Sequence, residues 1–105
     1  MSDIPHVNAN DFQAEVLNSS EPVLVDFYAE WCQPCLRQGP VLEQYLSENP
    51  GAKSGKVSVD NDVPLAHEYQ VSSIPTLIVF QGGREVTRHR GFANKDYVAE
   101  LLKSA

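Results

Sequence analysis

Short apolar runs and amphipathic segments alternate along the chain. Residues 22–29 (PVLVDFYA) and 76–80 (TLIVF) are rich in strand-forming residues, which predicts two strands buried on both faces of a sheet. Residues 56–60 (KVSVD) alternate as a shorter strand. The polar residues 85–90 follow the second run through Gln81-Gly82-Gly83-Arg84, which predicts a hairpin whose last strand lies at an edge of the sheet.

Four other segments have the spacing of helices. Residues 33–47 form the longest of them, and Pro40 predicts a bend within it; the alternative is a helix that ends at Gly39. The apolar face predicted for this helix comprises Cys35, Gly39, Leu42 and Leu46. The other helices are predicted from a cap followed by apolar positions: Asn8 and Asp11 before Phe12, Val16 and Leu17; Asn61 or Asp62 before Leu65, Ala66 and Tyr69; and Asn94 before Tyr97, Val98, Leu101 and Leu102.

The order of the elements, β, α, β, α, β, α, β, β, α, predicts an α/β fold with a partly parallel sheet covered by helices on both faces. With 105 residues, 42% hydrophobic and 21% charged, the chain is expected to form one domain, residues 1–105, and to be a monomer. Fourteen acidic against eight basic residues give a formal charge of −6, which opposes nucleic acid as a partner.

Targeting signals are not evident in the sequence. No apolar run approaches the roughly 18 residues that span a bilayer. The first twenty residues lack a basic start followed by an apolar stretch, so we expect a cytoplasmic protein with no membrane partner; a secretory precursor already trimmed to this start is the alternative.

The only two cysteines are Cys32 and Cys35, separated by Gln33 and Pro34. Cys32 falls at the predicted helix start, where unpaired backbone N–H groups and the positive end of the helix lower the pKa of a thiol and favour the nucleophilic thiolate. Pro34 has no N–H, so the amide of Cys35 is the natural donor to the Cys32 sulfur. Cys35, one turn deeper, is expected to stay shielded until a mixed disulfide forms.

The same spacing supplies half of a zinc site, so metal binding is an alternative to redox chemistry. The remaining ligands would have to come from His6, His67 and His89, which are scattered along the chain, and we therefore expect no metal. A purely structural disulfide is the other alternative, but the loop it would close is too small to add much stability.

Asp26 interrupts the first buried run. Burial makes a carboxylate costly to ionise, so its pKa is expected to rise and Asp26 becomes a proton store close to Cys35 and a general base for it. An Asp that bonds locally or faces solvent at the strand end is the alternative.

The chain resembles the thioredoxin family in residues 23–35 (VLVDFYAEWCQPC), in Ile74-Pro75-Thr76, in Gly82-Gly83 and in Gly91. The order and spacing of these motifs extend over nearly the whole chain. The resemblance implies the thioredoxin fold, with a central mixed five-stranded sheet flanked by four helices. It also implies dithiol–disulfide exchange, with the first cysteine attacking a target disulfide and the second resolving the mixed disulfide.

Further site residues follow from the resemblance. The family's matching Asp is buried behind the cysteines, and Lys56 matches a lysine beside it, which implies support for proton transfer. Pro75 matches a cis proline that faces the cysteines and leaves the backbone of Ile74 open to an extended substrate. The surface expected to bind substrates around the Cys32 sulfur comprises Trp31, Gln33, Pro34, Ile74, Pro75, Gly91 and Phe92.

The resemblance implies an electron carrier that needs no bound cofactor beyond its redox-active Cys32–Cys35 disulfide. Its implied partners are a flavoprotein, thioredoxin reductase, and disulfide-containing client proteins. Gln33 replaces the family's usual glycine and Leu36 a common lysine, and both changes leave the redox poise open. A disulfide isomerase or oxidase is therefore an alternative, as is a non-catalytic binding module on the same fold.

Overall fold

The computed structural model describes residues 4–105. Within that range four strands form one mixed sheet in the order β2-β1-β3-β4. β1 is parallel to β2, whereas β3 is antiparallel to both β1 and β4. The strands are β1, Val23–Tyr28; β2, Lys53–Ser58; β3, Thr76–Gln81; and β4, Arg84–Arg90.

Four helical segments in the same range cover the two faces of the sheet: a π-helix, Gln13–Leu17; α1, Gln33–Glu48; α2, Val63–Glu68; and α3, Lys95–Lys103. One buried apolar cluster joins Val25 and Phe27 of β1 to the π-helix and α2. The other joins Leu24 of β1 to α1 and α3. Because neighbouring strand residues point to opposite faces, β1 contributes to both clusters. The predicted α/β arrangement with a mixed sheet and helices on both faces is confirmed.

The prediction of five strands is wrong for the described part of the chain, where an isolated parallel bridge between His6 and Lys56 takes the place of the strand expected before the first helix. Lys56 N–H donates to the carbonyl of Pro5, and Val7 N–H donates to the carbonyl of Lys56, both at 2.9 Å. Pro5 has no N–H with which to extend this ladder. Beyond Val7 the chain turns, because the backbone N–H of Asn8 donates to the side chain of Asp11 at 2.8 Å.

Gly55 lets the amino-terminal segment lie close against β2. A Cβ atom at Gly55 would come within 2.7 Å of Cγ2 of Val7, which is closer than side chains tolerate. The absence of a side chain at this position therefore permits the close backbone approach.

Three other features differ from the predictions. β2 begins at Lys53, three residues before the predicted strand, because Lys53 already pairs with Val23 of β1. Residues 53–55 have low strand propensity, and pairing with β1 stabilises their extended conformation. Asp62 precedes α2, but its carboxylate accepts the N–H of Ala9 at 2.7 Å and makes no cap bond within residues 4–105. The first helix is present as a π-helix rather than as regular α-helix.

The two helices nearest the cysteines follow the predictions more closely. α1 runs through Pro40 to Glu48 and does not end at Gly39. α3 begins after Asn94, whose side-chain oxygen accepts the N–H of Tyr97 at 2.9 Å and so satisfies one of the free amides of the first turn. Among residues 4–105, none of the helices has the length and hydrophobicity that a bilayer span requires.

Candidate active site

The cysteine pair lies where β1 leads into α1. Cys32 is the N-cap residue of α1, and its sulfur accepts the backbone N–H of Cys35 at 3.2 Å. Pro34 occupies the first turn, where its missing N–H leaves no helical bond unmade. The two sulfurs form a disulfide across one helical turn, with 5.2 Å between the Cα atoms.

The expected difference in exposure between the two cysteines is absent in this oxidised state. Cys32 and Cys35 are each 5% exposed. The disulfide holds the two sulfurs together, and the Cys32 sulfur also lies 3.8 Å from the carbonyl oxygen of Ile74. We therefore expect Cys32 to become more accessible than Cys35 only in the reduced protein.

Two loops meet beside the Cys32 sulfur. The Ile74–Pro75 peptide bond is cis, as the resemblance implies. The carbonyl of Pro75 accepts the N–H of Gly91 at 2.7 Å. Gly91 has a φ of +98°, a conformation that side-chain-bearing residues rarely adopt. The structure thus links Ile74, Pro75 and Gly91 to the cysteine pair.

The aromatic residues of the predicted substrate surface are exposed. Trp31 is 68% exposed, and its indole N–H donates to the carboxylate of Asp60 at 2.7 Å, so Trp31 stands at the surface rather than in the core. Phe92 is also exposed, and the guanidinium of Arg37 lies 5.0 Å from its ring centroid. Gln33 is exposed and Pro34 is half-buried.

Asp26 is buried in the middle of β1, with only 3% of its surface exposed. Leu24, two residues earlier, packs in the cluster with α1 and α3, so Asp26 points to the side of the sheet on which α1 lies. Within residues 4–105 its Oδ1 has no hydrogen-bond partner. Burial raises the pKa of Asp26 from 3.8 to about 7, although the positive charge of Lys56 acts in the opposite direction.

Lys56 stands opposite Asp26 in the parallel register of β1 and β2. Its ammonium group lies 5.4 Å from the ring centroid of Tyr28, also on β1. The resemblance places a lysine beside the buried carboxylate, and this register agrees with that placement. The charge of Lys56 favours the ionised form of Asp26 and limits the rise that burial produces in its pKa.

One buried residue of α1, Gln38, is polar and was not predicted from the sequence. The buried residues of this helix are Cys35, Gln38 and Leu42, whereas Gly39 and Leu46 of the predicted face are only half-buried. Cys35, Gln38 and Leu42 are separated by three and four residues, a spacing that fits one helix face as well as the predicted set does. Gln38 was not included in the prediction because a polar side chain does not by itself indicate burial. The bond from Trp31 to Asp60 was also not predicted, because it joins two exposed residues 29 positions apart in the sequence.

Metal ligands are not gathered at this site. Among the described residues, no three His, Cys, Asp or Glu side chains lie close enough together to hold a metal ion.

A cysteine pair at the start of a helix, joined by a disulfide and packed against a mixed sheet, defines a thiol–disulfide oxidoreductase. The thioredoxin family model matches residues 3–104, and the chain belongs to the thioredoxin family. The predicted dithiol–disulfide exchange is therefore confirmed as the activity of this enzyme, with the Cys32–Cys35 disulfide as its redox group.

Individual relatives support this assignment. A thioredoxin of Chlamydia pneumoniae is 46% identical over 80 residues, which cover 76% of this chain and 78% of the relative. A thioredoxin of Chlorobaculum thiosulfatiphilum is 41% identical over 93 residues, 88% of this chain and 86% of the relative. A bifunctional thioredoxin reductase/thioredoxin of Mycobacterium leprae is 49% identical over 93 residues, 88% of this chain but 20% of that longer protein.

Proposed function

We propose that the protein is a protein-disulfide reductase and electron carrier in which Cys32 attacks and Cys35 resolves. The observation that carries this assignment is the position of Cys32 at the N-cap of α1, where its sulfur accepts the N–H of Cys35. The same N–H and the positive end of the helix stabilise a thiolate on Cys32. Cys35 has no such place at the helix start, since it lies within the first turn.

The exchange proceeds in two steps that together transfer two electrons to the client. The Cys32 thiolate attacks one sulfur of a client disulfide, forming a mixed disulfide and releasing the other client sulfur as a thiolate. Cys35 then loses its proton and attacks the Cys32 sulfur, which forms the Cys32–Cys35 disulfide and releases the second client thiolate. The client thiolates take up protons, and the protein is left oxidised, in the state of this structure.

Asp26 is the proposed acceptor of the Cys35 proton. Its carboxyl group points to the face of the sheet that α1 covers, and its pKa of about 7 suits a group that exchanges protons at neutral pH. Lys56 supports this transfer, because its positive charge keeps part of the Asp26 population ionised. Water can carry the proton where the two side chains do not meet directly.

The proposed client surface surrounds the Cys32 sulfur. Its apolar part offers burial to a client, while the backbone of Ile74 offers hydrogen bonds to an extended segment beside the client disulfide. Contacts of this kind depend little on the client's side chains and fit a broad range of clients. The residues of this surface are Trp31, Gln33, Pro34, Ile74, Pro75, Gly91 and Phe92.

The proposed electron donor is a flavoprotein, thioredoxin reductase. The Mycobacterium leprae relative, which combines thioredoxin reductase and thioredoxin in one protein, supports this pairing. We also propose a cytoplasmic, monomeric carrier, residues 1–105 forming one domain. Both cysteines of the chain belong to the redox pair, so neither forms a separate structural disulfide. Proteins without structural disulfides are typical of reducing compartments such as the cytoplasm.

Reduction of insulin by dithiothreitol, with and without the protein, tests the assignment. Catalysed precipitation of the insulin B chain is expected, and a lack of acceleration would contradict the proposal. Equilibration with glutathione then separates a reductant from an isomerase or oxidase. We expect a potential close to that of reducing thioredoxins, about −270 mV, whereas a value near −120 mV would favour an oxidase.

Replacement of Asp26 by Asn is expected to slow the single-turnover reduction of insulin about tenfold at pH 7.5. A sole general base contributes about 10²-fold or more, but the departing client thiolate is a second proton acceptor and reduces the loss. In the unaltered protein the rate should rise with pH through about 7, as Asp26 ionises.

The variant should lack the part of this pH dependence that Asp26 supplies, while alkylation of Cys32 by iodoacetamide continues. Equal turnover of the two proteins across pH 6 to 9 would remove Asp26 from the mechanism. Slower alkylation of Cys32 would instead assign Asp26 to the first step.

A further inference from the structure

Gln38 joins α1 to the segment that follows β4. Its side-chain N–H donates to the carbonyl of Ala93 at 2.9 Å, and its side-chain oxygen accepts the N–H of Ala93 at 2.8 Å. Both residues are buried, and Gln38 has no exposed surface. One amide side chain thus satisfies both backbone groups of a residue that lies 55 positions away in sequence.

These two bonds belong to a longer series that ends at the reacting sulfur. Ala93 follows Gly91 and Phe92, and the N–H of Gly91 donates to the carbonyl of Pro75 at 2.7 Å. Ile74, bonded covalently to Pro75, places its carbonyl 3.8 Å from the Cys32 sulfur. We call residues 91–93 the docking segment. It is held on one side by the loop of Pro75 and on the other by Gln38, and the His89 Nε2 atom lies 3.2 Å from the carbonyl oxygen of Phe92.

A second link between α1 and the docking segment is exposed. The guanidinium of Arg37, the residue before Gln38, lies 5.0 Å from the ring centroid of Phe92. Cation–π contacts at exposed positions are weak, whereas buried hydrogen bonds cannot be exchanged for bonds to water without moving the backbone. Gln38 is therefore the stronger of the two links from α1.

We propose that Gln38 is a positioning residue that sets the affinity for protein clients by holding the docking segment against α1. The inference rests on the proposed function, in which Gly91 and Phe92 contact the client. Gln38 itself is buried, and both of its side-chain hydrogen bonds go to the backbone of Ala93. It acts through Ala93, whose fixed backbone keeps Phe92 and Gly91 in place before a client arrives and so lowers the ordering cost of binding.

Gln38→Met tests this role, because methionine has nearly the same length and no strong hydrogen-bonding group. The Ala93 N–H and carbonyl are then left unsatisfied, which favours a shift of the docking segment toward water. We expect the KM for insulin to rise about tenfold, which is the effect of losing one or two net hydrogen bonds. The small disulfide 5,5′-dithiobis(2-nitrobenzoate) does not need the docking segment. The rate at which the variant reduces it should therefore change less than about twofold, because no hydrogen bond that serves this substrate is lost.

Gln44→Met is the matched control. Gln44 lies on the same helix and is exposed, and among residues 4–105 its side chain donates only to Glu48, at 3.3 Å. The same substitution there should leave both substrates unaffected. Gln38→Glu provides a conservative rescue, since it keeps an acceptor for the Ala93 N–H and regains a donor when protonated. The KM of the Gln38→Glu variant for insulin should lie between the values for the unaltered protein and for Gln38→Met. The ratio of its KM to that of the unaltered protein should fall as the pH is lowered.

The outcomes separate the two proposals. A selective rise in the insulin KM for Gln38→Met, with partial rescue by Gln38→Glu, supports the positioning role. Parallel changes for both substrates, an unchanged KM, or loss of folding in both Gln38 variants would make Gln38 a structural residue and overturn it. If the unaltered protein reduced neither substrate, the proposed function itself would fail.

Discussion

Replacing Asp26 with Asn is expected to raise the free energy of unfolding of the oxidised protein by about 4 kcal/mol at pH 8 and by about 2 kcal/mol at pH 5. The reason is the buried carboxyl group, whose pKa is raised to about 7 from 3.8 by burial. Asn has nearly the shape of the neutral acid and never ionises. Its advantage over Asp26 therefore equals the cost of ionising the carboxyl group inside the core.

The sign follows from proton binding. Between pH 3.8 and about 7 the folded protein keeps a proton on Asp26 that the unfolded chain has released. A state that binds more protons is destabilised as the pH rises, so this contribution to stability falls across that range and levels off above about 7. Each tenfold difference in proton affinity corresponds to about 1.4 kcal/mol, which gives the magnitudes above.

Urea denaturation of both proteins at pH 5 and pH 8 measures this difference, and the midpoint of thermal unfolding at pH 8 should rise by about 15 °C. Asp96→Asn is the control, because it removes a carboxyl group from an exposed position of α3 and should change the stability by only about 0.5 kcal/mol. A stability gain for Asp26→Asn that is the same at both pH values would contradict costly ionisation of Asp26.

Cys32→Ser is expected to reduce the rate of insulin reduction at least about 10³-fold, to that of dithiothreitol alone. A serine hydroxyl remains protonated at neutral pH and does not attack disulfides, so the helix start has no thiolate to stabilise. Cys35→Ser should also stop turnover, but for a different reason. Its Cys32 can still attack, and the mixed disulfide that forms has no resolving thiol.

The two variants are therefore matched controls for each other. Incubation with oxidised insulin, followed by a non-reducing gel and mass spectrometry, should show a covalent complex with Cys35→Ser and none with Cys32→Ser. Dithiothreitol should release the client from that complex. Trapping by Cys32→Ser instead would reverse the roles of the two sulfurs, and full biological activity of the double variant would favour a non-catalytic binding module.

Much of the fold could be predicted because the spacing of apolar residues along the chain indicates which positions are buried. The run that contains Val23, Val25 and Phe27 is a central strand, and the spacing of Val98 and Leu101 marks the buried face of α3. For the strand predicted ahead of the first helix, where the structure has a bridge at His6, hydrophobicity was not a sufficient guide. Whether that segment extends beyond one bridge depends on Pro5 and on the turn at Asn8, not on its hydrophobicity.

The residues of the candidate site also differ in whether the sequence alone could indicate them. Cys32, Cys35 and Asp26 could be selected from sequence because a thiol pair at a helix start and a carboxyl group in an apolar run have chemical consequences by themselves. Gln38 could not, since its role depends on Ala93, which only the folded chain brings within reach. A polar residue in a helix is usually exposed, and the spacing alone does not identify the exception.

The disulfide spans a single turn at the beginning of α1, with 5.2 Å between the Cα atoms of its cysteines. Gain or loss of this bond changes the covalent connections of two residues within one helical turn, so we expect a client and the electron donor to meet nearly the same outer surface in either state. We therefore expect the oxidised form to compete with the reduced form for clients. A shortage of the electron donor would then slow client reduction in two ways, because less reduced protein remains and because oxidised protein occupies the clients.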